Sequence, residues 1–532
     1  MSTTEIKVPG YGTVSGIIAP SIKDGSVVEF RGIPYGKIPG RFEKSVLYEK
    51  LEGPHDGSKF GPMCPSIPIE VILNDDKLDL IAPPPNQGQD EFKCLNLNIA
   101  APKAGLTAGK KLPVLVWIHG GGFTMGANTD RYAAIASLCK QSIQLGKPMI
   151  VVSINYRLGY FGFLASKQLK EANASRGGGA GNWGLFDQRV ALQWIQMNIA
   201  AFEGDPKAVT AMGHSAGGAS INGHLLAGQP LFSRGILASG VLAGVLGPRQ
   251  LEEEIVKGEY DSLLEHLKIS SVEELQKVPV DKLMQAHQSL HPGFAIANTV
   301  DDSQVPGGFF TLGGDQTEHW IYNPKSANTP VMLGDAETEG NIFVALFQNY
   351  PPEQLLTSLQ KRLPASLLKE WKLDANSAPP ATTSMADLTP RLIQLCSDIP
   401  FIAPAAKFAT LYPGPVYSYH FDRPSQFEGP MKGIANHGVD MSYAFGGHMP
   451  HFPDDLDREI SKSWMGYIIA FVNGEEPWPA RGEKGNSMVV SADGKIGMHN
   501  EVGTRRWAAF REQMKCWNDT VAVWKDVLAM KL

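Results

Sequence analysis

Gly213-His214-Ser215-Ala216-Gly217 decides the fold. The five residues follow a β-prone apolar run, Ala208-Val209-Thr210-Ala211-Met212, and lead into the small residues Gly218-Ala219-Ser220, which read as a helix start. A serine between two glycines, on a sharp turn from strand to helix, is a nucleophile elbow. The turn strains the serine backbone, and a side chain at either flanking glycine would strike neighbouring elements. In return the hydroxyl stands exposed at a helix N-terminus, where backbone N–H groups and the helix dipole favour developing negative charge.

Working outward from the elbow, strands alternate with helices from about Lys111 onward. Leu112–Ile118 and Pro148–Ile154 are almost continuously apolar, as parallel strands covered on both faces require. Further strands are expected at 208–214, 235–241, 329–334 and 416–421, and Gly184–Phe202 carries the 3.6-residue apolar period of a helix. This order predicts an α/β fold with a large, mostly parallel central sheet flanked by helices. The N-terminal part reads as a small β region, with a hairpin turning at Asp24-Gly25 between Gly16–Ile22 and Ser26–Arg31. The segments near 250–290 and 345–400 are helical, with charged faces, and are expected to form cap-like insertions. With no linker in sight, residues 1–532 are read as a single domain. Pro83-Pro84-Pro85 and Gly177-Gly178-Gly179-Ala180-Gly181 are read as loops; the latter lacks the Lys-Ser/Thr of a phosphate cradle.

Composition narrows the function. The chain has 532 residues, 43% of them hydrophobic and 19% charged, with a formal charge of −6. Such a balance gives no electrostatic reason to expect nucleic acid. No run approaches the roughly 20 apolar residues of a bilayer span, so no membrane anchor is expected. The N-terminus has no basic and apolar leader, which points to a cytoplasmic location. The ending Met530-Lys531-Leu532 is similar to a peroxisomal Ser-Lys-Leu signal, a lesser alternative. The five cysteines, Cys64, Cys94, Cys139, Cys396 and Cys516, lack metal spacing and read as buried small hydrophobes. The sequons at Asn173 and Asn518 are expected to be unused, and neither metal nor cofactor is called for.

A serine nucleophile needs a base, an acid to orient it, and donors for an oxyanion. Trp117-Ile118-His119-Gly120-Gly121-Gly122-Phe123 follows a buried strand directly, and its bare backbone suits an oxyanion loop. Gly121 and Gly122, with the N–H of Ala216, are the expected donors. Of the thirteen histidines, His437 stands out between glycines in Asn436-His437-Gly438-Val439-Asp440, with His448 and His451 as neighbouring candidates. The acid should follow the strand Pro330-Val331-Met332-Leu333-Gly334, where Asp335, Glu337 and Glu339 are all available.

These blocks together resemble the type-B carboxylesterase/lipase family, the α/β-hydrolases that include carboxylesterases, cholinesterases and fungal lipases. The likeness extends to Phe30-Arg31-Gly32-Ile33-Pro34-Tyr35-Gly36, Cys94-Leu95-Asn96-Leu97-Asn98-Ile99, Asn155-Tyr156-Arg157-Leu158-Gly159, Gly181–Gln188 and Phe202-Glu203-Gly204-Asp205-Pro206. In overall look it is nearest to intracellular fungal carboxylesterases. The resemblance implies the α/β-hydrolase fold and selects Glu339, before Gly340, as the acid, and His437, in His-Gly-x-Asp, as the base. It further implies that Ser239 and Asp440 support the triad, and that Cys64 and Cys94 are a possible disulfide. The chain departs from the family in carrying Phe92-Lys93 where an acidic pair usually partners the arginine matching Arg41; Glu91 is the available substitute. His214 stands where many relatives carry Glu. No Trp or Tyr lies between Cys64 and Cys94, where cholinesterases hold quaternary ammonium by cation–π attraction.

The function these residues describe is a cofactor-free serine carboxylesterase, with Ser215, Glu339 and His437 as its triad and a small-molecule ester as its partner. The same acyl-serine admits transfer to another acceptor, or opening of a lactone or thioester in a biosynthetic pathway. A non-catalytic interaction protein on this fold is the alternative from another class, and retention of all three triad residues argues against it.

Overall fold

The computed structural model describes residues 3–66, 87–107, 109–228, 231–242, 247–291, 297, 299–310, 324–347, 350–482 and 485–500, with isolated positions between 513 and 523. Pro83-Pro84-Pro85, Cys516, the Asn518 sequon and Met530-Lys531-Leu532 lie outside them.

One twisted mixed sheet organises the molecule. Its strands are β1 (Thr3–Val8), β2 (Gly12–Ile18), β3 (Val27–Pro34), β4 (Asn96–Pro102), β5 (Leu112–Ile118), β6 (Ile150–Ile154), β7 (Gly204–His214), β8 (Arg234–Ala238), β9 (Val331–Ala336), β10 (Val416–Phe421), β11 (Asn486–Val490) and β12 (Ile496–Asn500). They lie in the order β1-β2-β3-β4-β6-β5-β7-β8-β9-β10-β11-β12. From β6 to β11 every pairing is parallel, and the flanking pairs along this order are antiparallel, while the two-residue strand His55–Asp56 adds to β2 in parallel. The parallel strands are apolar along their whole length because both faces are covered. All residues of β6 and β9 are buried.

Among the covering helices are α1 (Ile135–Gln144), α2 (Trp183–Asn198), α3 (Ala216–Leu226), α4 (Val439–Ala444) and α5 (Asp455–Val472). Trp183 and Trp194 of α2 sit in the apolar cluster on one side of the sheet, and Trp464 of α5 joins Trp117 in the cluster on the other. This is the α/β-hydrolase architecture, with helices on both faces of the sheet.

The N-terminal turn is longer than a two-residue hairpin. β2 stops at Ile18, and Ala19–Ser26 wind through two tight turns, Ile22 N–H to Ala19 O at 3.0 Å and Gly25 N–H to Ile22 O at 3.1 Å. Pro20 has no N–H to give the ladder, so the strand cannot run on to Ile22. β8 likewise ends at Ala238 rather than 241, because Ser239 takes a left-handed φ of 50°. At the end of α2 the last turn tightens into a 3-10 turn, Ile199–Phe202.

Both insertions are helical. The first comprises Glu254–Leu267, Val272–Lys277 and Val280–Leu290; the second comprises Pro352–Arg362, Ala365–Glu370 and Met385–Ser397. The second has an apolar cluster of its own, centred on Trp371, Leu359, Leu392 and Phe343. After Met385–Ser397 the helix widens into a π turn, Asp398–Ile402, before resuming as Ala403–Leu411. Among the described residues no helix is long and apolar enough to cross a membrane.

Candidate active site

The elbow is built as strand, turn and helix. β7 ends at His214, α3 begins at Ala216, and Ser215 between them has φ 57° and ψ −121°. A non-glycine residue at positive φ is costly, and such strain persists where surrounding structure over-determines it. Here Ser215 N–H donates to Ala238 O at 2.8 Å, and Ser215 O accepts from Ala219 N–H at 2.9 Å.

The glycine loop after β5 lies against this turn. A Cβ at Gly120 would come within 2.6 Å of His214 O and 3.2 Å of Ser215 Cβ, so only glycine allows the approach. Gly121 and Gly122 have φ of 101° and 61°. Their carbonyls are engaged: Gly121 O accepts from Met125 N–H at 3.1 Å, and Gly122 O accepts from Ala297 N–H at 2.9 Å. Among the described residues, the N–H groups of Gly121, Gly122 and Ala216 have no protein acceptor. His119 anchors the loop. Its Nδ1 donates to Gly120 O at 2.9 Å, its ring stacks on Tyr156 at 4.4 Å, and its carbonyl accepts from Tyr156 Oη at 2.9 Å. Burial lowers its pKa to about 4, so the anchoring imidazole is neutral.

The acid and the histidine meet because their loops pair. Thr338 N–H donates to Ala435 O at 2.9 Å and Thr338 forms a β-bridge with Asn436. The next residue on each side is then Glu339 and His437, and Glu339 Oε2 accepts from His437 Nδ1. The other oxygen, Oε1, accepts from Ser239 Oγ at 2.6 Å and from Ala336 N–H at 2.6 Å. A fully buried carboxylate is stable only when its lone pairs are taken up in this way. The His437 ring packs on His214 at 4.4 Å and on Phe401 at 4.8 Å between centroids.

The remaining candidates separate. Asp335 points along β9 to His420 of β10, its Oδ1 2.8 Å from Nδ1. Glu337 is exposed. His448 is buried against Phe427 at 5.5 Å, and His451 is exposed. Asp440 lies buried at the start of α4, accepting from Tyr419 Oη at 2.8 Å and from Met441 N–H at 3.0 Å. Burial, reinforced by the charge of Glu339, raises its pKa to about 7, against the lowering effect of the Tyr419 hydrogen bond.

The possible Cys64–Cys94 bridge is corrected: both are buried free thiols. Cys64 Sγ accepts from Leu158 N–H at 3.2 Å, and Cys94 Sγ lies 3.3 Å from Glu91 O as its donor. The hydrogen-bonding neighbour Cys64, with burial, holds Cys94 well above the usual thiol range. Glu91 does replace the missing acidic pair, in a buried bidentate ion pair with Arg41 at 2.7 and 2.6 Å. A second buried pair, Arg157–Asp187 at 2.7 and 2.8 Å, pins the loop after β6 to α2.

Sequence reasoning gave no role to Phe401, Tyr156 or Asn341, whose Oδ1 accepts from His437 N–H at 3.4 Å. Tyr156 lies within Asn155-Tyr156-Arg157-Leu158-Gly159, the loop after β6. Phe401 carries no motif, and only the π turn places it at the histidine.

A strained serine elbow, a glycine loop pressed against it and a buried glutamate–histidine pair at the end of a largely parallel sheet would be an unusual coincidence outside the α/β-hydrolases, and comparison with known proteins agrees. A model of the carboxylesterase family matches residues 2–516, and the chain belongs to that family. It is therefore a carboxylic ester hydrolase. Para-nitrobenzyl esterase of Bacillus subtilis (strain 168) is 29% identical over 528 residues, covering 94% of this chain and 97% of that protein. Lipase 3 of Yarrowia lipolytica is 27% identical, covering 88% and 89%. The solved structure of a thermophilic PNB esterase superposes with a TM-score of 0.75 at 26% identity, covering 96% of this chain and 100% of the other.

Proposed function

We propose that ester hydrolysis proceeds through an acyl-serine on Ser215, with His437 as general base and Glu339 as the acid that orients it. The observation that carries this reading is the Glu339–His437 pair, whose imidazole packs on His214, the residue directly before Ser215. With its carboxylate fixed by Ser239 and Ala336, Glu339 holds the proton on Nδ1. Nε2 is then the basic nitrogen.

Ser215 Oγ attacks the acyl carbon as its proton passes to Nε2. The carbonyl oxygen becomes an oxyanion that accepts from the N–H groups of Gly121, Gly122 and Ala216. Nε2–H protonates the departing alkoxide as the C–O bond breaks, leaving the acyl-serine and a free alcohol. Water, deprotonated by the same nitrogen, then attacks the acyl carbon, and Ser215 recovers its proton as the carboxylic acid departs.

Ser215→Ala, assayed with p-nitrophenyl acetate, should lower kcat by about a millionfold. An organophosphonate should add once to the wild type, on Ser215, and not to the variant. Turnover by a folded Ser215→Ala enzyme at more than a trace of the wild-type rate overturns the assignment.

A further inference from the structure

His214 is the last residue of β7, and its side chain stands at the acid–histidine pair rather than in the sheet's core. The ring lies 4.4 Å from that of His437, tilted by 45°. It is only 7% exposed. The chain around it is shaped to admit it. Gly438, next to His437, has φ 83°, and a Cβ there would approach His214 Cε1 to 3.1 Å and Nε2 to 3.4 Å. The space above Gly438 is therefore filled by the imidazole of His214.

The geometry also defines what that ring can do. Glu339 holds His437 by one nitrogen. Rocking of the imidazole about the Nδ1···Oε2 line would swing Nε2 toward or away from Ser215. Two aromatic contacts from separate elements oppose that rocking: Phe401 on the π turn, at 4.8 Å, and His214 on the elbow, at 4.4 Å. The two differ in one respect. Phe401 rides on the helical insertion and is backed by Phe343 at 5.8 Å. His214 is joined by one peptide bond to Ser215, so its ring ties the position of His437 directly to the nucleophile.

We infer that His214 is a positioning residue, a ring platform that holds the imidazole of His437 in register with Ser215. The inference rests on the reading of His437 as base. A residue that acts through His437 changes the rate of acylation and deacylation rather than substrate affinity.

The test compares His214→Ala with His214→Phe, using p-nitrophenyl acetate and checking the fold of each by thermal unfolding. Misplacing a catalytic group by about 1 Å costs up to about 100-fold, so His214→Ala should lower kcat by about 10- to 100-fold with KM within about twofold. His214→Phe restores the flat face and should recover kcat to within about threefold of wild type. A folded His214→Ala enzyme with wild-type kcat overturns the inference, as does a folded His214→Phe enzyme no better than His214→Ala. Should phenylalanine prevent folding, the Nδ1–H proton of His437 in protein labelled with 15N-histidine serves instead. It should exchange with water faster in His214→Ala than in wild type, and an unchanged exchange rate overturns the inference. Ser215→Ala, run beside these, separates the two claims: its turnover tests the acyl-serine reading alone.

Discussion

Ser239 donates its hydroxyl to Glu339 across 2.6 Å, from a backbone held at φ 50°. The strand β8 gives up its last residues to make that turn, so the bond is bought with sheet length. Replacing Ser239 by alanine leaves Glu339 Oε1 with the Ala336 N–H alone. A hydrogen bond to a charged group contributes about 1.5–3 kcal/mol, and Ser239→Ala should lower kcat by roughly tenfold or more. Steady-state kinetics with KM and kcat separated will check this; an unchanged kcat denies Ser239 a supporting role.

Gly121 has φ 101°, and a Cβ there would lie 2.4 Å from Met125 O. Gly121→Ala must therefore shift the loop that presents its N–H. Losing one oxyanion donor costs about 100- to 1,000-fold in kcat, and that is the expected loss, with organophosphonate labelling of Ser215 slowed in step. Wild-type kcat in the folded variant removes Gly121 from the oxyanion site.

Asp440 supplies a pH signature. Its pKa is raised to about 7 in the folded chain, against about 3.9 for an unperturbed aspartate. Between these values the folded state holds a proton that the unfolded state has lost. Stability from this group is thus greatest at low pH and is lost as pH rises from about 4 to about 7. Asp440→Asn, which keeps an acceptor for Tyr419, should remove that slope. The difference in unfolding free energy between wild type and variant should move in the variant's favour by as much as about 4 kcal/mol across the window. Denaturant melts at pH 5 and pH 8 should read about 2.7 kcal/mol of that change, and a pH-independent difference rules out a raised Asp440.

Asp187 and Arg157 are both essentially excluded from water. Removing one partner of such a pair strands the other charge, at a cost of about 3–5 kcal/mol. Asp187→Ala should show that loss in thermal or denaturant unfolding even though residue 187 lies outside the triad. A change below about 1 kcal/mol, the scale of exposed pairs, would contradict it.

Much of the fold was legible because parallel strands announce themselves. Leu112–Ile118 was placed to the residue, and the elbow at Ser215 followed from two glycines and a β-prone run. Where local pattern competed with a special backbone, the boundaries moved, as at Pro20 and Ser239. The edge strand β12 is not legible in the sequence because exposed residues such as His499 and Asn500 dilute its signal. The choice of Glu339 among three carboxylates rests on resemblance alone. Asp335, Glu337 and Glu339 look alike in a string of letters, and what separates them is that Asp335 pairs with His420 while Glu339 is carried to His437 by the Thr338–Asn436 bridge. Free thiols at Cys64 and Cys94 were not foreseeable from spacing, since the same two positions serve either redox state.

The peptide after Glu339 is fastened to the second insertion. Gly340 N–H donates to Ser397 Oγ at 2.8 Å, that hydroxyl donates to Ile393 O at 2.8 Å, and a Cβ at residue 340 would fall 2.1 Å from the same carbonyl. The second insertion is thus bolted to the peptide beside the Glu339–His437 pair. Exchanging that insertion for another therefore means carrying over the final turn of Met385–Ser397 intact, or the peptide after Glu339 loses its anchor.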